Sequence, residues 1–174
     1  MSTTSLCSPT EVAHYLKPII IGGDILAYSY AREFHRAYGI EHCIVLTMHD
    51  IKMLSASRFT DYRQGINIHD SESLYTTLEA IAAELKAQDT HNIPLILGCD
   101  DVHARLISQG KKRLQAAGIV VPYINFELLD SITQKHVFYD LCEELDIPYP
   151  KTWYFSCGED DPETLPVDDF PYPL

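Results

Sequence analysis

Two short loops carry the residues best suited to chemistry. Gly22-Gly23-Asp24 follows the apolar run Pro18-Ile19-Ile20-Ile21, and Gly98-Cys99-Asp100-Asp101 follows Ile93-Pro94-Leu95-Ile96-Leu97. In each, glycine leads into aspartate where a helical pattern begins. A turn of this kind can leave free backbone N–H groups at a helix start, a place for a phosphate or a carboxylate. The same residues serve structure equally well, the glycines making tight turns and the aspartates capping helices. Gly22, Gly23, Asp24, Gly98, Asp100 and Asp101 are thus the ligand-facing candidates, with both readings open.

Other chemistries find less support. The order Gly22-Gly23-Asp24-Ile25-Leu26-Ala27 lacks the spacing of a dinucleotide-binding turn, and no GKS or GKT is present to complete a phosphate loop. The Asp100-Asp101 pair could suggest a metal or phosphoacceptor site, but a receiver-like protein places an acidic cluster early and a lysine late on its strand ends, a scheme into which Asp24 and Asp50 have to be forced. The cysteines Cys7, Cys43, Cys99, Cys142 and Cys157 are odd in number and nowhere in CxxC spacing, and the eight histidines form no HxH or HxxxH pair. That pattern fits a reducing cytoplasm and offers no metal site. The tyrosines between Tyr28 and Tyr38 can form a stacking surface or pack a helix on a sheet.

The elements that must position these loops are set by periodicity. The Ile19–Ile21 run reads as a buried strand, with a helix after it over 25–38, Asp24 as its cap and Gly39 at its end. A second strand is expected over 41–46. Residues 48–62 read as loop with a helical turn, and 63–69 as a strand with Ile66 and Ile68 on one face. Asp70 or Ser71 then caps a helix whose apolar positions Leu74, Leu78, Ile81 and Leu85 are spaced 4, 3, 4. A strand over 93–98, a helix from Asp100 or Asp101 broken at Gly110, and a strand over 119–122 complete the series. Two further helices are capped by Asn125 and Thr133, the second with Val137, Leu141 and Leu145 on one face. A strand is expected over 152–155. Strands alternating with helices predict an α/β fold, a Rossmann-like parallel sheet with helices on both faces.

Composition sets further bounds. The 174 residues carry a net charge of -12, half of it from the six acids after Ser156, where no base occurs. So acidic a chain has no basic face for nucleic acid or an anionic membrane. No apolar stretch reaches spanning length, and the N-terminus has no signal-peptide pattern, so a cytoplasmic location is expected.

The segment Asp146-Ile147-Pro148-Tyr149-Pro150-Lys151-Thr152, with the helix before it and Lys135 at that helix's start, resembles the junction that opens the nucleotide-binding half of ATP-grasp enzymes. The run ending in Gly22-Gly23-Asp24, the segment Ser55-Ala56-Ser57-Arg58-Phe59 and the run ending in Gly98-Cys99-Asp100-Asp101 resemble the preceding domain of ATP-grasp carboxylate–amine ligases, D-aspartate ligase-like and carbamoyl-phosphate-synthase-like proteins among them. The resemblance covers about residues 18–155. It implies an N-terminal extension over 1–17, a pre-ATP-grasp α/β domain over 18–122, a helical junction over 123–150 and the start of an ATP-grasp domain over 151–174.

The resemblance also implies a reaction: ATP and magnesium activate a carboxylate as an acyl phosphate, which an amine then attacks. Lys135 stands where the family contacts the nucleotide phosphates, and Gly22, Gly23, Asp24, Gly98, Asp100 and Asp101 where it faces substrate. The family's later lysine strand, glycine-rich loop and magnesium carboxylates have no counterpart in this chain. The 174 residues are therefore expected to hold no catalytic or metal-ligating residue and to bind ATP poorly by themselves. Small amino-acid-like substrates are the expected partners, with a homodimer possible. The competing expectations are a non-catalytic dimerisation or scaffold module, a small-ligand-binding domain, and a flavodoxin-like domain holding flavin or phosphate at Gly22 to Asp24.

Overall fold

A computed structural model describes residues 13–154 and Gly158. They fall into two compact units that divide between Asp130 and Ser131.

The first unit is built on a parallel sheet. Its strands are β1 (Leu16–Ile21), β2 (Cys43–Leu46), β3 (Thr60–Arg63) and β4 (Ile93–Gly98), in the spatial order β3-β2-β1-β4. Ile19 pairs with Ile44 on one side and with Ile96 on the other. Successive side chains of a strand point to opposite faces. Ile19 and Ile21 accordingly join one core cluster and Ile20 the other. Burial on both faces is why β1 reads as an unbroken apolar run rather than an alternating one.

Helix α1 (Ile25–Tyr38) covers one face through Ala27 and Ala31, both fully buried. The short α2 (Lys52–Ser55) adds Leu54 to the same cluster. Helices α3 (Ser71–Gln88), α4 (Asp101–Gln109) and α5 (Lys111–Ala116) cover the other. Leu74, Leu78, Ile81 and Leu85 all lie buried there, as the 4, 3, 4 spacing requires. Asp70 caps α3 through its carboxylate and the Ser73 N–H, 2.8 Å apart.

Several sequence expectations need correction. The third strand is Thr60–Arg63, not 63–69. It lies at the sheet edge, where a polar strand is no liability, so hydrophobic pattern is a poor guide to it. Ile66 and Ile68 leave the sheet in a turn through Gly65 (φ +81°) and pack into the core cluster instead. The expected strand over 119–122 is a single parallel bridge, Leu95 with Val120. Gly110 does separate α4 from α5, but its φ of -80° is ordinary. A Cβ there would stand 2.4 Å from the Tyr75 ring, so close approach is what demands glycine. Thr133 ends α6 (Phe126–Thr133) rather than capping the next helix.

In the second unit α7 (Lys135–Glu144) starts after Gln134, whose side chain makes no capping bond. Cys142 is its buried residue, whereas Leu145 beyond its end is exposed. Asp146 takes a left-handed φ of +54°, and the Ile147 N–H donates to the Cys142 carbonyl, closing the helix. Residues 151–154 form no strand, and Phe155, the rest of that expectation, lies outside the described residues.

Candidate functional site

The chain runs outward from β1 through β2 to β3 and then returns to place β4 on the other side of β1. The order of connection reverses between β1 and β4. At such a switch point the loops leaving neighbouring strands diverge, which opens a crevice at the carboxyl ends. The two loops leaving these strands are Gly22-Gly23-Asp24 and Gly98-Cys99-Asp100-Asp101. Tertiary structure thus brings together two candidates that lie far apart in sequence.

Their contact is intimate. The Cys99 N–H donates to the Ile21 carbonyl at 3.0 Å. Gly22 is buried at φ +140°, and a Cβ built on it would lie 2.6 Å from Cys99 Cβ. Gly98 would meet His103 Cβ at 2.7 Å, and Gly23 would meet Ile51 at 3.3 Å. Packing therefore gives each of the three glycines a structural reason. The Gly98 N–H is also taken, donating to the Tyr123 hydroxyl at 2.8 Å.

The helix starts are occupied too. Asp24 accepts from the Leu26 and Ala27 N–H groups at 2.9 and 3.2 Å, and Asp100 accepts from the His103 N–H at 2.8 Å. These donors are satisfied internally by carboxylates. The helix starts consequently present negative charge to the crevice, which opposes a phosphate or carboxylate at these two points. Asp101, the first residue of α4, is exposed beside them. Among the described residues no lysine or arginine forms a salt bridge with Asp24, Asp100 or Asp101, and His103 lies against Asp100.

Cys99 sits between the loops. Burial pushes its thiol up to about 12, with Asp24 and Asp100 adding to the shift. A thiol so held stays protonated at neutral pH and is a poor nucleophile or metal ligand. Cys43, Cys99 and Cys142 are all free thiols. Among the described residues no group of three or more His, Cys, Asp or Glu side chains is placed to hold a metal ion.

His103 is the residue that sequence reading passed over. It is 2% exposed, and neither ring nitrogen makes a hydrogen bond. Nδ1 lies 2.9 Å from Asp100 Oδ1, but without hydrogen-bond geometry, so that contact leaves the ring unsatisfied while Oδ1 accepts from the His103 backbone N–H. The contrast with the other buried polar residues is sharp. Thr47 bonds to the Tyr62 hydroxyl, Asn92 to the Leu85 carbonyl and Ser108 to the Ile124 carbonyl. Burial lowers the His103 pKa; Asp100 and Asp24 oppose that shift and His69 adds to it. The exposed His69 ring stacks over it, centroids 5.3 Å apart and planes within 17°. The available sequence signal was a histidine three residues after a capping aspartate on the buried face of a helix.

Lys135, the candidate phosphate contact, is the exposed first residue of α7. Its carbonyl accepts from the Tyr154 hydroxyl at 3.2 Å. Because Gln134 supplies no side-chain cap, the first-turn N–H groups beside this lysine have no side-chain partner from the capping position. A cationic side chain beside such N–H groups is compatible with a phosphate.

A cavity of about 470 Å³ lies at the opposite end of the sheet, lined by residues that include Leu16, Lys17, Gly39 and His42. It opens at the amino ends of the strands, away from both candidate loops.

Comparison with characterised proteins adds a decisive observation. The chain is 31% identical over 140 residues, 78% of its length, to a D-aspartate ligase of Enterococcus faecium (strain Aus0004). It is a relative of a D-aspartate ligase. The relationship agrees with the resemblance carried by the glycine–aspartate loops and the junction segment. The match spans 31% of that ligase's own length. No family model matches the chain, and no solved structure matches it. No helix of the described residues is long and apolar enough to cross a membrane.

Proposed function

We propose that this chain is the substrate-facing domain of an ATP-dependent ligase that joins a carboxylate to an amine through an acyl phosphate. The similarity to a D-aspartate ligase over 78% of the chain carries the reading. The meeting of both candidate loops at the β1/β4 switch point supports it, because that is where an open parallel sheet binds ligands. Gly22, Gly23, Asp24, Gly98, Asp100 and Asp101 face the substrate in this reading, and an amino acid of the aspartate type is the candidate ligand.

ATP and magnesium serve the whole enzyme. Bound there, they supply the phosphoryl group and the charge neutralisation that its transfer requires. Lys135 holds a nucleotide phosphate, adding a positive charge where negative charge develops. ATP places the enzyme in the cytoplasm.

The test has two arms. Calorimetry on the 174-residue chain is expected to show no micromolar, magnesium-dependent ATP binding. In the full ligase, Lys135→Ala is expected to raise KM for ATP and lower turnover. Unchanged kinetics would remove Lys135 from the nucleotide site, and tight ATP binding by this chain alone would reject the division of labour.

A further inference from the structure

β4 is an edge strand, so the hold on its outer side has to come from something other than a neighbouring strand. Successive N–H groups of a strand point to opposite neighbours. Cys99 donates inward, to the Ile21 carbonyl of β1 at 3.0 Å. Ile96 donates outward, to the Val120 carbonyl at 3.1 Å, and the Val120 N–H donates back to the Pro94 carbonyl at 2.8 Å. This single bridge is the backbone pairing on that outer side among the described residues. Two residues beyond Ile96, the outward Gly98 N–H meets the Tyr123 hydroxyl at 2.8 Å. The phenol oxygen stands where a further strand would have supplied a carbonyl.

Tyr123 is itself fixed for this bond. Its ring packs against the core cluster beneath α3, α4 and α5. Its carbonyl accepts from Lys111 Nζ at 2.6 Å, and the next carbonyl, that of Ile124, accepts from Ser108 Oγ at 2.7 Å. The acceptor is thus anchored to α4 and α5 and not to the loop it holds. Burial raises the phenol pKa, the Gly98 bond opposes that shift, and nearby Tyr30 and Cys99 add to it, so the group is a neutral hydroxyl.

Gly98 has reason to need such a hold. It is the one glycine of β4, and it stands where the strand becomes the loop. Glycine has the widest backbone freedom of any residue. A stiffer residue has no room here, because a Cβ would lie 2.7 Å from His103 Cβ. The start of the loop is therefore held by two bonds on opposite sides, Cys99 to β1 and Gly98 to Tyr123.

We propose that Tyr123 is a positioning residue of the ligase, whose hydroxyl fixes the Gly98 peptide and through it the loop that carries Asp100 and Asp101. It touches neither substrate nor ATP in this role. The proposal rests on the reading of the chain as the substrate-facing domain of a ligase.

Tyr123→Phe tests it, because the ring stays and the acceptor goes. Amide hydrogen exchange of the isotope-labelled 174-residue chain, read by NMR, should speed up about tenfold at Gly98 and leave the amides of α3 as they are. Tyr30→Phe removes a neighbouring phenol that makes no hydrogen bond among the described residues, and it should leave Gly98 exchange unchanged. In the full ligase, assayed with D-aspartate and with hydroxylamine as the amine, Tyr123→Phe should raise KM for D-aspartate about three- to tenfold and leave KM for ATP unchanged. A merely structural role would not separate the two constants. Unchanged exchange at Gly98 would overturn the proposal, as would faster exchange throughout the sheet or wild-type kinetics in the variant. Wild-type kinetics would leave the ligase reading standing, whereas a wild-type enzyme that forms no hydroxamate would remove that reading and the proposal with it.

Discussion

Gly22 and Cys99 come so close that a side chain on the first would collide with the second: the Cβ atoms would be 2.6 Å apart. This contact holds the loop after β1 against the loop after β4. Gly22→Ala adds a methyl group to that contact and a Cβ at φ +140°. Chemical denaturation should show a loss of roughly 1–3 kcal/mol. Gly39→Ala is the control, because its φ is also positive (+68°) but nothing lies within 4 Å of the added atom. Its loss should stay near about 1 kcal/mol, and equal losses at the two positions would mean that the Cys99 contact yields freely.

Asp24 is a helix cap whatever else it binds, since it accepts from both the Leu26 and Ala27 N–H groups. Asp24→Ala should cost about 1 kcal/mol, while Asp24→Asn keeps an accepting oxygen and should cost only a few tenths. Ligand affinity separates charge from capping. In the full ligase, a substrate effect in Asp24→Asn without a stability effect assigns the carboxylate to binding.

His103 makes stability depend on pH. Its folded pKa lies below the ordinary 6.5, chiefly because burial disfavours the charged ring, with Asp100 and Asp24 opposing and His69 reinforcing. Below pH 6.5 the unfolded chain takes up a proton that the folded chain resists. Its contribution is therefore intact above about pH 7 and is lost as pH falls from about 6.5 toward the folded value. Urea midpoints between about pH 7.5 and 5.5 should fall more steeply for the wild type than for His103→Gln. Parallel curves would show that His103 protonates freely in the fold.

Cys99 should be inert. With its thiol pushed up to about 12, almost no thiolate exists at about pH 8, and alkylation depends on thiolate. Iodoacetamide labelling read by mass spectrometry should find Cys99 unmodified in the folded chain under conditions that label it fully in urea. Asp100→Asn removes one of the charges that suppress ionisation and should speed labelling of the folded protein.

The sequence by itself determined the elements whose signals are local. Asp24 capping a helix that ends at Tyr38 before a left-handed Gly39 was legible to the residue, because caps and C-terminal glycines act within one turn. So was the buried face of α3, because the helical period leaves Leu74, Leu78, Ile81 and Leu85 on one side. Edge strand β3 was displaced because edge position is a tertiary property, and Ile66 and Ile68 proved to be core residues of a turn. Both glycine–aspartate loops could be named from sequence, but their meeting could not. It results from β4 pairing with β1 instead of β3, a choice made by long-range burial. The reason Gly22 and Gly23 are glycine was equally hidden, since Cys99 and Ile51 reach them only across the fold, whereas His103 meets Gly98 from the helix that directly follows it. The unpaired imidazole of His103 exists only in the folded chain, because the same burial that completes the core beside Gly98 removes the water that would otherwise satisfy its ring.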